Sequence, residues 1–171
     1  MTAPLDPERV ARHLEAGATL IEAELGALGD DASWHPAAGE WCANEIIGHI
    51  VEAERRGFAG RIAHFVREEH PRTEAWDQLA VARARGDCER AAQALLAEFS
   101  EARRASAALV RSLRPEQLER SGTHPKVGEL RVRDLLHEWV HHDRNHTKQL
   151  LAIAQERVWP HMGNSQRFAG E

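Results

Sequence analysis

The chain has 171 residues and a formal net charge of -5, a length that suits one domain over residues 1–171 with a single buried core. Its 42% hydrophobic and 29% charged residues are ordinary for a globular protein, and no apolar run approaches a membrane span. The acidic balance argues against nucleic acid as the main partner, because phosphate binding needs a basic surface. The opening residues Met1 to Asp6 lack the basic and apolar regions of a signal peptide, so a cytoplasmic location is expected. Cys42 and Cys88 stand far apart in no metal-ligand spacing, which suits thiols kept reduced.

Asp6-Pro7 marks a helix start, the aspartate as cap and the proline at the first helical position. Val10, Leu14, Ala18, Ile21, Leu25 and Leu28 recur at helical spacing until Gly29-Asp30-Asp31. A second helix opens at Cys42, with Glu45 placed to complete a capping box, carries Ile46, His49, Ile50 and Ala53 on its inner stripe, and runs to about Glu68. The segment from His70 to Asp87, with Pro71 and Gly86, reads as a long crossover in which Trp76 to Ala84 could form a short helical turn. A third helix is expected over Cys88–Leu113, with Leu95, Phe99, Ala102, Ser106, Leu109 and Leu113 on one face, followed by a polar loop with Pro115, Gly122, Pro125 and Gly128. The fourth runs from about Val132 to Val158, before Pro160. With no strand of convincing alternation, the pattern predicts an all-α four-helix bundle with a long crossover between helices two and three.

The fourth helix carries His137, His141, His142 and His146, which form two overlapping HxxxH pairs able to hold a metal on one helical face. His137-Glu138-x-x-His141 spells the zinc-protease HExxH motif, and His142-x3-His146 a plain pair. With Leu135 at zero and roughly 100° per residue, His142 falls near -20°, His146 near +20°, Leu150 near +60° and Ile153 near zero, whereas His137 and His141 fall near 200° and 240°. The second pair therefore belongs to the apolar stripe, and the first faces water. The protease reading fails further because Thr147 stands where the extended motif needs a third histidine.

Two inward imidazoles need partners for their ring nitrogens, and a metal satisfies both. Each alone reads as a core histidine with a carbonyl or water partner. His49, on the inner face of the second helix, is the histidine that bundle closure can bring to the pair, giving three imidazoles with coordination positions left open, as in catalytic sites. His13 reads as a boundary residue. His35, His64, His70, His124 and His161 fall in loops or on mixed faces and are taken as solvated.

Trp41-Cys42-x-x-Glu45-x3-His49-x4-Glu54, followed far along the chain by His142-Asp143-x-x-His146-x-x-Gln149-Leu150, resembles the DinB-like (YfiT-like) superfamily of metal-binding four-helix bundles. The resemblance spans nearly the whole chain in helix order and crossover placement, and it departs from the family pattern at Cys42, where Ser is usual. It implies one divalent metal on His49, His142 and His146, and a homodimer. It also implies the activation of a low-molecular-weight thiol such as mycothiol, bacillithiol or glutathione for attack on a small electrophile. Alternatives are a hydrolase using metal-bound water and a non-catalytic metal-binding or stress-related protein. All-imidazole ligation makes zinc the first choice and nickel the second.

Asp143 and Glu54 are candidates for accepting a ring N–H from a ligating imidazole and so fixing its tautomer, against a plain interhelical contact. Glu138, near -60° on the same wheel, is a candidate general base, although a surface glutamate is the simpler account. Cys42 lies seven residues before His49, roughly 10 Å along the axis, too far to join the same metal. Trp41, Trp139 and Trp159 read as packing, with Trp139 placed to line a pocket.

Overall fold

A computed structural model describes residues 4–170. Six α-helices carry it: α1 (Pro7–Leu28), α2 (Ala43–Glu52), α3 (Ala59–Arg67), α4 (Gln78–Arg85), α5 (Ala92–Ser112) and α6 (Val132–Val158). Asp6 caps α1 by accepting from Arg9 N–H at 2.7 Å, with Pro7 in the first turn. Glu45 reaches back from the first turn of α2 to Cys42 N–H at 2.9 Å, the carboxylate half of the expected capping box.

Helices α2 and α3 are two parts of one helical run joined by a π-turn, Ala53–Phe58, in which Ala59 N–H reaches back five residues to Glu54 O. The inserted residue shifts the helical register. Glu54 and Phe58, four residues apart within the π-turn, are both buried. The run ends at Arg67, close to the expected limit.

α1 packs against α5 and α6, and α2 packs against the same two helices, so the long helices close into a four-helix bundle with α1 and α2 across its diagonal. The crossover holds α4, capped by Asp77 and terminated by left-handed Gly86. The third long helix begins at Ala92 and not at Cys88. Cys88 lies in a short 3-10 turn, Asp87–Glu89, because Gly86 ends α4 and the extended backbone of Arg90 separates the turn from α5.

The loop expected after α5 contains an antiparallel hairpin, β1 (Ser121–His124) with β2 (Gly128–Arg131), in the register Ser121↔Arg131. This corrects the strand-free expectation. Ser121-Gly122-Thr123-His124 has no apolar alternation, and its pairing depends on Gly122, where a Cβ would stand 2.3 Å from Phe65 Cε1 and 2.7 Å from Pro71 O. Among the described residues no helix is long and apolar enough to cross a membrane.

The core has two apolar clusters. One gathers Val10, Leu14, Phe58, Phe65, Leu135 and Trp139, and the other Ile21, Leu25, Ile47, Leu95, Phe99 and Leu150. A buried polar layer includes Glu54, Arg103, Ser106 and Asp143. Arg103 donates to both Asp143 oxygens, to Glu54 and, at 2.7 Å, to Leu14 O. Ser106 donates to the other Glu54 oxygen at 2.7 Å. Gly17 lets α1 approach this layer, since a Cβ there would sit 3.0 Å from Asp143 Oδ2. On α5 the inward positions are Leu95, Phe99, Arg103, Ser106, Ala107 and Val110. Ala102 and Leu109, expected on that face, are only half-buried, because a charged network takes the middle of the stripe.

Candidate metal centre

α2 delivers His49, and α6 delivers His142 and His146 one turn apart. Their Nε2 atoms converge: His49 to His142 is 3.1 Å, and His142 to His146 is 3.1 Å. Two nitrogens on one tetrahedral cation with bonds of about 2.0–2.1 Å stand about 3.3 Å apart, so the spacing fits a shared ion. Neutral imidazoles cannot otherwise all satisfy Nε2 lone pairs aimed at one another. The donor set therefore fits a divalent cation.

Burial, with the neighbouring His146, pushes His49 down to about 4, and burial with His146 and His49 pushes His142 down to about 3. His146 is lowered by burial against the opposing effect of Gln149. All three are neutral at pH 7, the state in which imidazole donates a lone pair to a metal. His146 Nδ1–H donates to Gln149 Oε1 at 2.6 Å, which leaves Nε2 as its free lone pair. The Nδ1 atoms of His49 and His142 are buried and have no hydrogen-bond partner among the described residues.

Aromatic rings flank His49 and His142. Trp41 lies 5.0 Å from His49, and Trp76 stacks on the same imidazole at 5.9 Å and 20°. Phe58 meets His142 edge-on at 5.2 Å and stacks on fully buried Trp139 at 5.0 Å. Trp76 was missed as a site residue, because it lies in the crossover with no helical phase to read. Trp41 and Gln149 also line a cleft of 440 Å³. Trp76 lines another, of 410 Å³, with Arg56, Arg61 and Arg72.

The remaining sequence candidates fall elsewhere. Asp143 and Glu54 are buried but turn to Arg103, and not to an imidazole, because a buried guanidinium needs their charge. Glu138 is exposed, and among the described residues no hydrogen bond joins it to the three histidines. His141 is exposed as expected. His137 is half-buried and not solvated: its Nε2 accepts from Leu5 N–H at 3.0 Å and its Nδ1–H donates to Arg133 O at 2.7 Å, tying the N-terminal segment to α6. The centre of the α6 stripe passes through Trp139, Asp143, Thr147 and Leu150, so His142 and His146 lie at its border, half-buried. His35 is exposed, as expected, yet meets Cys88, and the two cysteines, far apart in sequence, share one cluster.

The model of the DinB superfamily matches residues 4–150. The chain belongs to the DinB superfamily. Among solved structures this DinB-superfamily chain is similar to YfiT from Bacillus subtilis, described as a probable metal-dependent hydrolase with an unusual four-helix bundle topology. That match has a TM-score of 0.81 at 18% identity, covering 90% of this chain and 88% of the other. It is also similar to a mycothiol-dependent maleylpyruvate isomerase, both unaltered and as a histidine-to-alanine mutant, with a TM-score of 0.69 at 11% identity. There it covers 87% of its own length and 63% of the isomerase chain. At these identities the likeness is one of fold. No curated protein sequence matches the chain.

Proposed function

We propose that the protein is a metal-dependent enzyme that transfers a low-molecular-weight thiol to a small electrophile, with His49, His142 and His146 as the metal-binding residues. The observation that carries this reading is the convergence of three neutral Nε2 donors in a half-buried aromatic site. A divalent cation held there, zinc by first choice and nickel by second, supplies the charge that lowers the pKa of a bound thiol or water.

The chain's own residues supply position and selectivity. Gln149 fixes the tautomer of His146. Trp41 and Trp76 cover His49 and limit water around it. Arg56, Arg61 and Arg72 line the cleft beside Trp76 and suit the carboxylates of thiols such as bacillithiol or glutathione. Arg61 has its pKa lowered by burial, with Glu138 as an opposing charge; an incoming carboxylate would relieve that cost.

Hydrolysis by metal-bound water is the second reading, favoured by the extensive fold similarity to YfiT. It needs a proton acceptor at the open position, and Glu138, the candidate base, is exposed. A sealed, non-catalytic metal site fits less well, because His142 and His146 remain half-buried and Trp139 packs on Phe58.

The test is thermal denaturation of the metal-loaded protein with mycothiol, bacillithiol, glutathione and coenzyme A. One of them should raise the midpoint by mass action. No shift with any thiol sets the transfer reading aside in favour of hydrolysis.

A further inference from the structure

The loop before α2, the first turn of α2 and the 3-10 turn Asp87–Glu89 meet at a second group of donor atoms. We propose that His35, Cys42 and Cys88, with Glu45 completing the set, form a closed thiolate–imidazole site for a zinc-class divalent cation. The four residues offer ligand atoms that all lie within 4.8 Å of one another.

The local hydrogen bonds prepare His35 for this role. Its Nδ1–H donates to Glu40 O at 2.8 Å, which leaves the Nε2 lone pair facing Cys88 Sγ at 3.2 Å. A carbonyl on one ring nitrogen is the usual way of orienting a metal-bound histidine. Without a cation, Cys88 can direct its S–H to that nitrogen or to Ser33 O, 3.3 Å away.

Cys42 has Cys88 as its side-chain hydrogen-bond partner. It is fully buried, and burial together with Cys88 raises its thiol pKa well above the ordinary value. A cation reverses that preference, because coordination deprotonates thiols. On binding, two S–H bonds break and their protons pass to solvent, while two sulfur bonds, one nitrogen bond and one oxygen bond form to the metal. No atom is oxidised or reduced.

Two sulfurs and an imidazole select zinc-type cations over magnesium or calcium. Four protein ligands make the site closed, unlike the three-histidine centre, so its role is structural. It ties the start of α2, the helix that carries His49, to the crossover. The proposal stands independently of the metal-binding assignment of His49, His142 and His146.

The full-length protein, purified under reducing conditions and titrated with Co(II), gives the test. A thiolate-to-cobalt charge-transfer band should appear in stoichiometric proportion to the chain. The band should survive His49→Ala and His142→Ala, disappear in Cys88→Ser and weaken strongly in His35→Ala. The exposed position of His35 keeps that variant informative if the cysteine variant does not fold. Absence of the band in folded wild type, its persistence in Cys88→Ser, or a Cys42–Cys88 disulfide in freshly isolated protein overturns the proposal.

Discussion

Arg103 on α5 donates from both terminal nitrogens to the carboxylate of Asp143, the residue that follows His142 on α6. A planar guanidinium holds a carboxylate in one orientation. The contact therefore sets the rotation of α6 about its axis at the level where His142 turns toward His49. Through Glu54 the same guanidinium holds the π-turn that continues α2.

Replacing Arg103 with Met should leave Asp143 and Glu54 buried without their counter-charge. A loss of about 3–5 kcal/mol is expected for breaking a buried pair on one side. Urea denaturation measures it, and metal affinity should fall as well. Stability within about 1 kcal/mol of wild type would mean that the network does not hold the helices.

Metal analysis separates the histidines. His49→Ala, His142→Ala and His146→Ala should each lose the metal of the three-histidine centre, while His141→Ala retains it. His137→Ala should also retain it, with a stability loss of about 1 kcal/mol as Leu5 N–H loses its acceptor. Retention in His49→Ala or His142→Ala, measured as cobalt bound outside the thiolate band, would falsify the ligand assignment.

Stability of the metal-free protein should fall with acidification. The ordinary histidine value of 6.5 applies to the unfolded chain, against about 4 for His49 and about 3 for His142 in the fold. Between those limits the unfolded state binds more protons, so stability present above 6.5 is lost as pH falls through it toward the folded values. The slope reaches about 1.4 kcal/mol per pH unit for each histidine. Denaturation midpoints followed from neutral to mildly acidic pH should show this slope, and His142→Phe should reduce it. An unchanged slope in that variant would place the acid sensitivity elsewhere.

Arg61 can be tested without turnover. Arg61→Gln should weaken binding of the carboxylated thiol about tenfold, roughly 1.4 kcal/mol, and leave metal content unchanged. Calorimetric titration of the metal-loaded protein gives both numbers, and equal affinity would remove Arg61 from the binding cleft.

Gly122→Ala should cost about 1–3 kcal/mol, because its Cβ would overlap the ring of Phe65 and the backbone of Pro71. Thermal unfolding measures the loss. A neutral substitution would show that the hairpin can shift away from α3 at no cost.

The sequence by itself determined the four long helices, the Asp6 cap, the crossover and the placement of His142 and His146 on a face apart from His141. All of these follow from the local repeat of the α-helix, which a single segment carries in full. It anticipated an interhelical polar contact at Asp143 but misjudged the middle of α5 and the centre of the α6 stripe, because hydrophobic phase gives no reason to place Arg103 inside, where it and Asp143 bury each other's charge. It left His137 in water, since the N–H of Leu5 that it binds comes from the opposite end of the chain. Only the tertiary structure decided that the Nε2 atoms of His49 and His142, anticipated as partners, stand 3.1 Å apart, that Trp76 covers His49 from the crossover, and that His35, Cys42 and Cys88 share one cluster. Those meetings depend on how helices and loops pack across the bundle, which no periodicity within one segment encodes.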